Sequence, residues 1–292
     1  MTENKISVLG SHVSYGGSLE AMLDNTWSCR ANSVQFFMGA PLQVKRSQPT
    51  QEDIDYFNKH CKNLNTFTHL PYLFNLSGSV KHKANAWSGT PQVDHIVTSY
   101  LTGIQQELDT LHKLNVPRKG SVLHIGSTAL TAESGLEAVA KSINKLKLHI
   151  DTPLILETMV GRGGVLGKSY QELASVIKMV NQPECIKICI DTCHVFAEGN
   201  YNLSQLSECE KMIDDFSTVF DSVDKLALFH VNDSKAGFSS HKDLHEYISQ
   251  GEIWKNDLTT FRWLIDWGVA HSVPLVLETD PSDIRNVNKL LF

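Results

Sequence analysis

The chain has 292 residues, 41% hydrophobic and 20% charged, with a net charge of −6. That length suits one large α/β barrel or two ordinary domains, and the acidic balance excludes a broadly basic nucleic-acid coat while leaving room for a local basic groove. With no run of about eighteen apolar residues and no basic-then-apolar leader, the protein is expected to be intracellular rather than secreted, with no membrane partner.

Eight short apolar runs recur along the chain: KISVLGSHV (5–13), NSVQFFMG (32–39), NTFTHLPYL (65–73), SVLHIGS (121–127), PLILET (153–158), IKICIDT (186–192), LALFHVND (226–233) and PLVLET (274–279). Between them lie stretches with helical periodicity, among them TQEDIDYFNKHCKNL, DHIVTSYLTGIQQELDTLHKL, SGLEAVAKSINKLKLHI and LSECEKMIDDFSTVFDSV. Eight buried strands alternating with helices predict a single-domain (β/α)8 TIM barrel over residues 1–292, an α/β fold. A doubly wound sheet competes, but no GxGxxG or GxxxxGK[ST] motif is present to support its nucleotide-binding form. The polar segments 80–92 and 233–252 are expected as long loops at the carboxyl-terminal face. ICIDTCHVFAEG (188–199) reads as a buried strand ending in a loop.

The strand ends carry a second pattern. His69, His124, Glu157, Asp191 with His194, His230 and Glu278 stand at or just past the ends of six runs. A barrel gathers those ends onto one face, where ligands distant in sequence would meet. A lone histidine in VLHIG or LFHVN is more often a core residue bonded to a carbonyl. A carboxylate after an apolar run is harder to explain, because burying it requires a partner or a metal. The thirteen histidines are about twice the usual share, and imidazole is the commonest transition-metal ligand side chain. A mixed nitrogen and carboxylate set suits zinc, with manganese or iron as rivals. Glu157, between histidine-bearing strands, is the candidate bridge between two cations, and Asp243 with His245 is a candidate third site near His194. Cys193 is expected to be a small buried hydrophobe, and the six cysteines to be reduced.

From GSHVSYGG (10–17) to LVLETDP (275–281) the chain resembles the endonuclease IV family of apurinic/apyrimidinic endonucleases. The most specific matches are LETMVGRGGVLG (156–167), CIDTCHVFAEG (189–199) and FHVNDSK (229–235). The resemblance implies a trinuclear zinc site. His69, His124 and Glu157 would hold one ion; Glu157 with Asp191, His230 and Glu278 a second; and His194, Asp243 and His245 a third. It further implies DNA base-excision repair: hydrolysis of the phosphodiester bond 5′ to an abasic site, leaving a 3′ hydroxyl, and trimming of blocked 3′ ends. Water would be the nucleophile, and Glu157, Asp191 and Glu278 the catalytic carboxylates that orient it. The partner is duplex DNA with abasic sites or blocked 3′ ends, and by resemblance the chain is a monomer.

Tyr72 and Leu73 match residues of the family's recognition loop, where the alternative is ordinary barrel packing. Lys45, Arg46, Arg162, Lys81 and Lys83 are candidate phosphate contacts, or else a solvated rim. MGAPLQVKRSQ (38–48), HIGS (124–127) and HEYISQG (245–251) depart from the family's usual loops, the marks of a divergent member. The rival reading is a single-metal sugar isomerase or epimerase on the same barrel, because Glu157, Asp191, His230 and Glu278 alone also resemble that set.

Overall fold

The computed structural model describes residues 7–78 and 91–291. Eight parallel strands close into a barrel in the order β1-β10-β7-β6-β5-β4-β3-β2. They are β1 (Leu9–His12), β2 (Ser33–Phe36), β3 (Asn65–His69), β4 (Lys119–Leu123), β5 (Leu154–Glu157), β6 (Ile186–Asp191), β7 (Leu226–His230) and β10 (Leu275–Leu277). Each lies within one of the eight apolar runs or, for β4, begins two residues before it. A two-residue ribbon, β8 (Asp233–Ser234) against β9 (His245–Glu246), stands apart in the 233–252 segment. The candidate lysines Lys81 and Lys83 lie outside the described residues.

Helices sheathe the barrel: α1 (Leu19–Cys29), α2 (Gln51–His60), α3 (Pro91–His112), α4 (Ala132–Ile143), α5 (Tyr170–Met179), α6 (Thr192–Glu198), α7 (Leu206–Phe220), α8 (Thr259–His271) and α9 (Asp283–Leu291). Local chemistry starts several of them. Ser18, Thr50, Thr131 and Ser169 each accept a backbone N–H of the first turn, and Thr50 with Asp53 forms a full capping box. The apolar faces of these helices pack on the outward side chains of the strands to form the larger core. Among the described residues, no helix is long and apolar enough to cross a membrane.

The sequence reading of residues 192–198 as a loop is corrected here. They form α6, because Asp191 Oδ1 accepts the His194 N–H at 2.9 Å as N-cap and Gly199 closes the helix in the left-handed region at φ 91°.

The barrel interior decides where the site sits. Phe67, Val122, Ile155, Cys189, Leu228 and Val276, one from each of six strands, form a separate buried cluster inside the ring. Side chains alternate along a strand, so the next inward position is two residues on. Those positions are His69, His124, Glu157, Asp191, His230 and Glu278. The same step brings His12 on β1 and Gln35 on β2 into that layer, where they hydrogen-bond to each other at 3.1 Å. An apolar plug therefore carries a polar ring directly above it.

Candidate metal centre

Glu157 is fully buried at the centre of the ring. Its Oε2 lies 3.2 Å from His69 Nε2 and 2.9 Å from His124 Nε2, and its Oε1 lies 3.0 Å from His230 Nδ1. His230 Nδ1 is also 3.3 Å from Glu278 Oε2 and 3.8 Å from Asp191 Oδ2. Beyond Asp191, Asp243 Oδ1 sits 3.1 Å from both His194 Nε2 and His245 Nε2. His69, His124 and Glu157 form one group of converging ligand atoms, and Glu157, Asp191, His230 and Glu278 a second. Asp191, His194 and His245 form a third, and Asp243 and His245 meet again in a fourth with Cys193. Six of the nine side chains named as ligands from the sequence, His69, His124, His194, Asp243, His245 and Glu278, line one cavity of about 220 Å³ together with Tyr72, and the other three, Glu157, Asp191 and His230, are fully buried within contact of them.

The imidazoles are oriented for binding. His69 Nδ1 donates to the Leu70 carbonyl at 2.7 Å, and His194 Nδ1 to that of Thr158 at 2.8 Å. Their Nε2 atoms are left facing the carboxylates. His230 is turned the other way: its Nε2 donates to Gln35 Oε1 at 2.8 Å and Nδ1 faces Glu157. Fixing one ring nitrogen so that the other presents a lone pair is how proteins aim metal-binding histidines. A metal fits this arrangement. The buried Nε2 atoms of His194 and His245 make no directed hydrogen bond even though Asp243 is so close, and unsatisfied buried nitrogens require an explanation. Carboxylates and imidazoles aimed at shared points suit zinc or manganese.

Electrostatics tells the same story. Burial would raise Glu157 and lower His230 and His194, but their mutual charges prevail. His124 and His230 hold Glu157 well below the usual carboxylate range. Burial opposes a charge on His230, yet the charge on Glu278 and Glu157 holds it well above the usual imidazole value. Asp191 and Asp243 do the same for His194. The carboxylates thus favour the protonated form of His230 and His194, and cations bound there would replace those protons.

Three supporting residues carry no metal-ligand signal in the sequence. Asn232 is fully buried; its Nδ2 donates to Asp191 Oδ2 at 2.7 Å and Glu278 Oε2 at 3.1 Å. Gln35 and His12 occupy the two ring positions that carry no carboxylate or converging imidazole. Asn and Gln have no metal preference to betray them, and His12 could be found only by counting along the strand period. Cys193 is buried with its thiol toward the Leu244 carbonyl at 3.7 Å, and burial pushes its pKa up, as a small hydrophobe would be.

Of the recognition candidates, Tyr72 is half exposed and its ring edges onto His69 at 5.2 Å and Phe37 at 5.3 Å. Leu73 is partly buried against the core. Lys45 and Arg162 are exposed. Arg46 is corrected: it is buried and pairs with Glu107 at 3.3 Å, and its guanidinium also binds the carbonyls of Ala40, Gln43 and Val44. Four of its five N–H donors are taken by its own loop and by α3, and its burial keeps the guanidinium from a phosphate.

Residues 28–288 match the family model described as xylose isomerase-like TIM barrel. The probable endonuclease 4 of Methanosphaera stadtmanae is 32% identical over 283 residues, 95% of this chain and 94% of that one. The chain belongs to the endonuclease IV family. The apurinic-apyrimidinic endonuclease 1 of Saccharomyces cerevisiae is 31% identical over 92% of this chain and 70% of its own length. Endonuclease IV from Thermus thermophilus superposes with a TM-score of 0.77 at 20% identity, covering 97% of each chain. The barrel is therefore an endonuclease IV barrel in sequence and fold.

Proposed function

We propose that this chain is a DNA-repair endonuclease that hydrolyses the phosphodiester bond 5′ to an abasic site, leaving a 3′ hydroxyl, and that it also trims blocked 3′ ends. The observation that carries the reading is the convergence of nine imidazole and carboxylate side chains in adjoining groups at the barrel mouth, six of them lining one cavity. The family membership agrees with it.

The residues would hold three zinc ions, with manganese as a substitute: His69, His124 and Glu157 for one; Glu157, Asp191, His230 and Glu278 for another; His194, Asp243 and His245 for the last. Bound there, the ions would acidify water toward neutral pH and offset charge on the phosphoryl and departing oxygens. Glu157 presents its two oxygens to opposite groups of histidines, which suits a bridge. Asp191 and Glu278 are held in orientation by Asn232, so neither needs to move to meet a water. The half-exposed Tyr72 ring stands over the cavity, where it can fill the space of a missing base. Lys45 and Arg162, exposed at the rim, would meet phosphates of duplex DNA, and the chain would act as a monomer.

The group formed by Glu157, Asp191, His230 and Glu278 alone would also serve a single-metal sugar epimerase. That reading leaves His69, His124, His194, Asp243 and His245 without a task, and we set it second.

The test is a duplex with one abasic analogue. A single nick on its 5′ side with a 3′ hydroxyl is expected, lost in Glu157→Ala while the fold persists. Uncleaved duplex with filled metal sites rejects the nuclease, and turnover of a ketose with one manganese per chain favours the epimerase.

A further inference from the structure

A second cavity lies beside the candidate metal cluster and shares Glu278 with it. It has a volume of about 740 Å³ and is bounded by residues that include His12, Ser14, Phe37, Gly39, Ser47 and Glu278. No lysine or arginine lines it among the described residues, so any anion it takes must be met by neutral donors.

His12 is the ring residue that faces it. Its imidazole rests against Phe37 at 4.7 Å between centroids and keeps part of its surface open. Gln35 decides which of its nitrogens carries the proton. Gln35 is fully buried and makes three bonds: its amide nitrogen reaches Glu278 Oε1 at 2.8 Å and His12 Nδ1 at 3.1 Å, and its carbonyl oxygen reaches His230 Nε2 at 2.8 Å. A carboxylate oxygen accepts, so the amide nitrogen must face Glu278, and the carbonyl must then receive the His230 N–H. With both ends of the amide fixed, its second N–H donates to His12 Nδ1. The proton of His12 therefore sits on Nε2, which has no partner within the described chain.

We infer that His12 is a further substrate-contacting residue, a neutral N–H donor that binds a phosphate oxygen of the DNA strand lying in this cavity, and that Gln35 is the positioning residue that fixes its tautomer. The inference rests on the reading of the site as a DNA nuclease. Because the donor is uncharged, the contact releases no extra counterion and leaves the salt dependence of binding unchanged.

The experiment uses zinc-loaded protein and the abasic duplex. Long-range proton–nitrogen correlation of labelled histidines reads the tautomer directly: His12 is Nε2–H in the native chain, and that single tautomer is lost in Gln35→Met. His12→Ala raises KM for the duplex about tenfold, the effect of one hydrogen bond to a charged group, with kcat and the salt slope near native and zinc content kept. His12→Gln, which returns an amide N–H to the Nε2 position, restores most of the affinity. An Nδ1–H or doubly protonated His12 overturns the inference without any variant. So does a native KM in His12→Ala, or a loss of zinc in that variant. If the native protein itself leaves the duplex intact, the nuclease reading fails; if it cuts and His12→Ala cuts equally well, only this inference does.

Discussion

His245 and Glu278 set the pH response of the metal-free cluster. Burial would lower His245, but Asp191 and Glu278 outweigh it and hold it at about 9, above its ordinary 6.5. A raised folded value means the stabilising contribution is full below pH 6.5 and is lost as pH rises through 9. Burial would raise Glu278, but His230 leads the groups that hold it at about 2, below 4.5. That contribution is present above pH 4.5 and is lost as pH falls through 2. Thermal unfolding of chelator-stripped protein is expected to show the falling Tm on both flanks, and zinc added near pH 7 should release protons from the histidines. Glu157→Gln keeps the shape and removes the central charge. It should cut activity by more than about a hundredfold, since even indirect supports of such ligands cost ten- to a hundredfold, and zinc affinity should fall with it. The nine candidate ligands stand out in the sequence because His, Asp and Glu at strand ends, and as an alternating pair in the 233–252 segment, reveal themselves by type. Asn232 and Gln35 did not, because neutral amides are ordinary in any strand. Arg46 misled because sequence gives its charge and not its exposure.

At the scale of elements, the loop after β2 is held by Arg46. Its guanidinium gathers the carbonyls of Ala40, Gln43 and Val44 and ties them to Glu107 on α3. Burial pushes Glu107 up to about 7 in spite of that arginine, so Arg46→Ala lets the carboxyl take a proton rather than remain as a naked charge. The cost then falls mainly on the loop carbonyls, about 2 kcal/mol, read as a lower urea midpoint and faster proteolysis within 39–47 at unchanged zinc content. The same loop carries Leu42, highly exposed, and Pro41, whose carbonyl accepts the Tyr72 N–H at 3.2 Å. Loosening it should therefore also loosen Tyr72. The strands were legible because each is a short apolar run; α6 was not, being a single short helix whose N-cap is itself a candidate ligand. Gly126 explains why HIGS works after β4: at φ 104° it lies where a Cβ would collide with Asn75, so only glycine fits that turn.

For the whole molecule, closure of the barrel turns a one-dimensional alternation into a three-dimensional site. Six inward apolar residues form the plug, and the residues two positions on form the ring that holds Glu157 at its centre. Strand count and alternation were readable from the chain; which inward residues touch was not, because the stagger between neighbouring strands, including the irregularity between Ile188 and Cys189, is set by closure itself. The groups that contain His245 need more than the barrel, since Asp243 and His245 arrive on the segment that the β8–β9 ribbon anchors.

The central claim is that these nine side chains hold several cations in mutual reach, and elemental analysis of the purified chain tests it most directly. About three zinc ions per chain are expected from the three proposed ligand sets, with the number falling in Glu157→Gln and in Asp243→Ala. A chain that binds a single ion at saturation, or keeps its full metal content when Glu157 is replaced, would contradict the account.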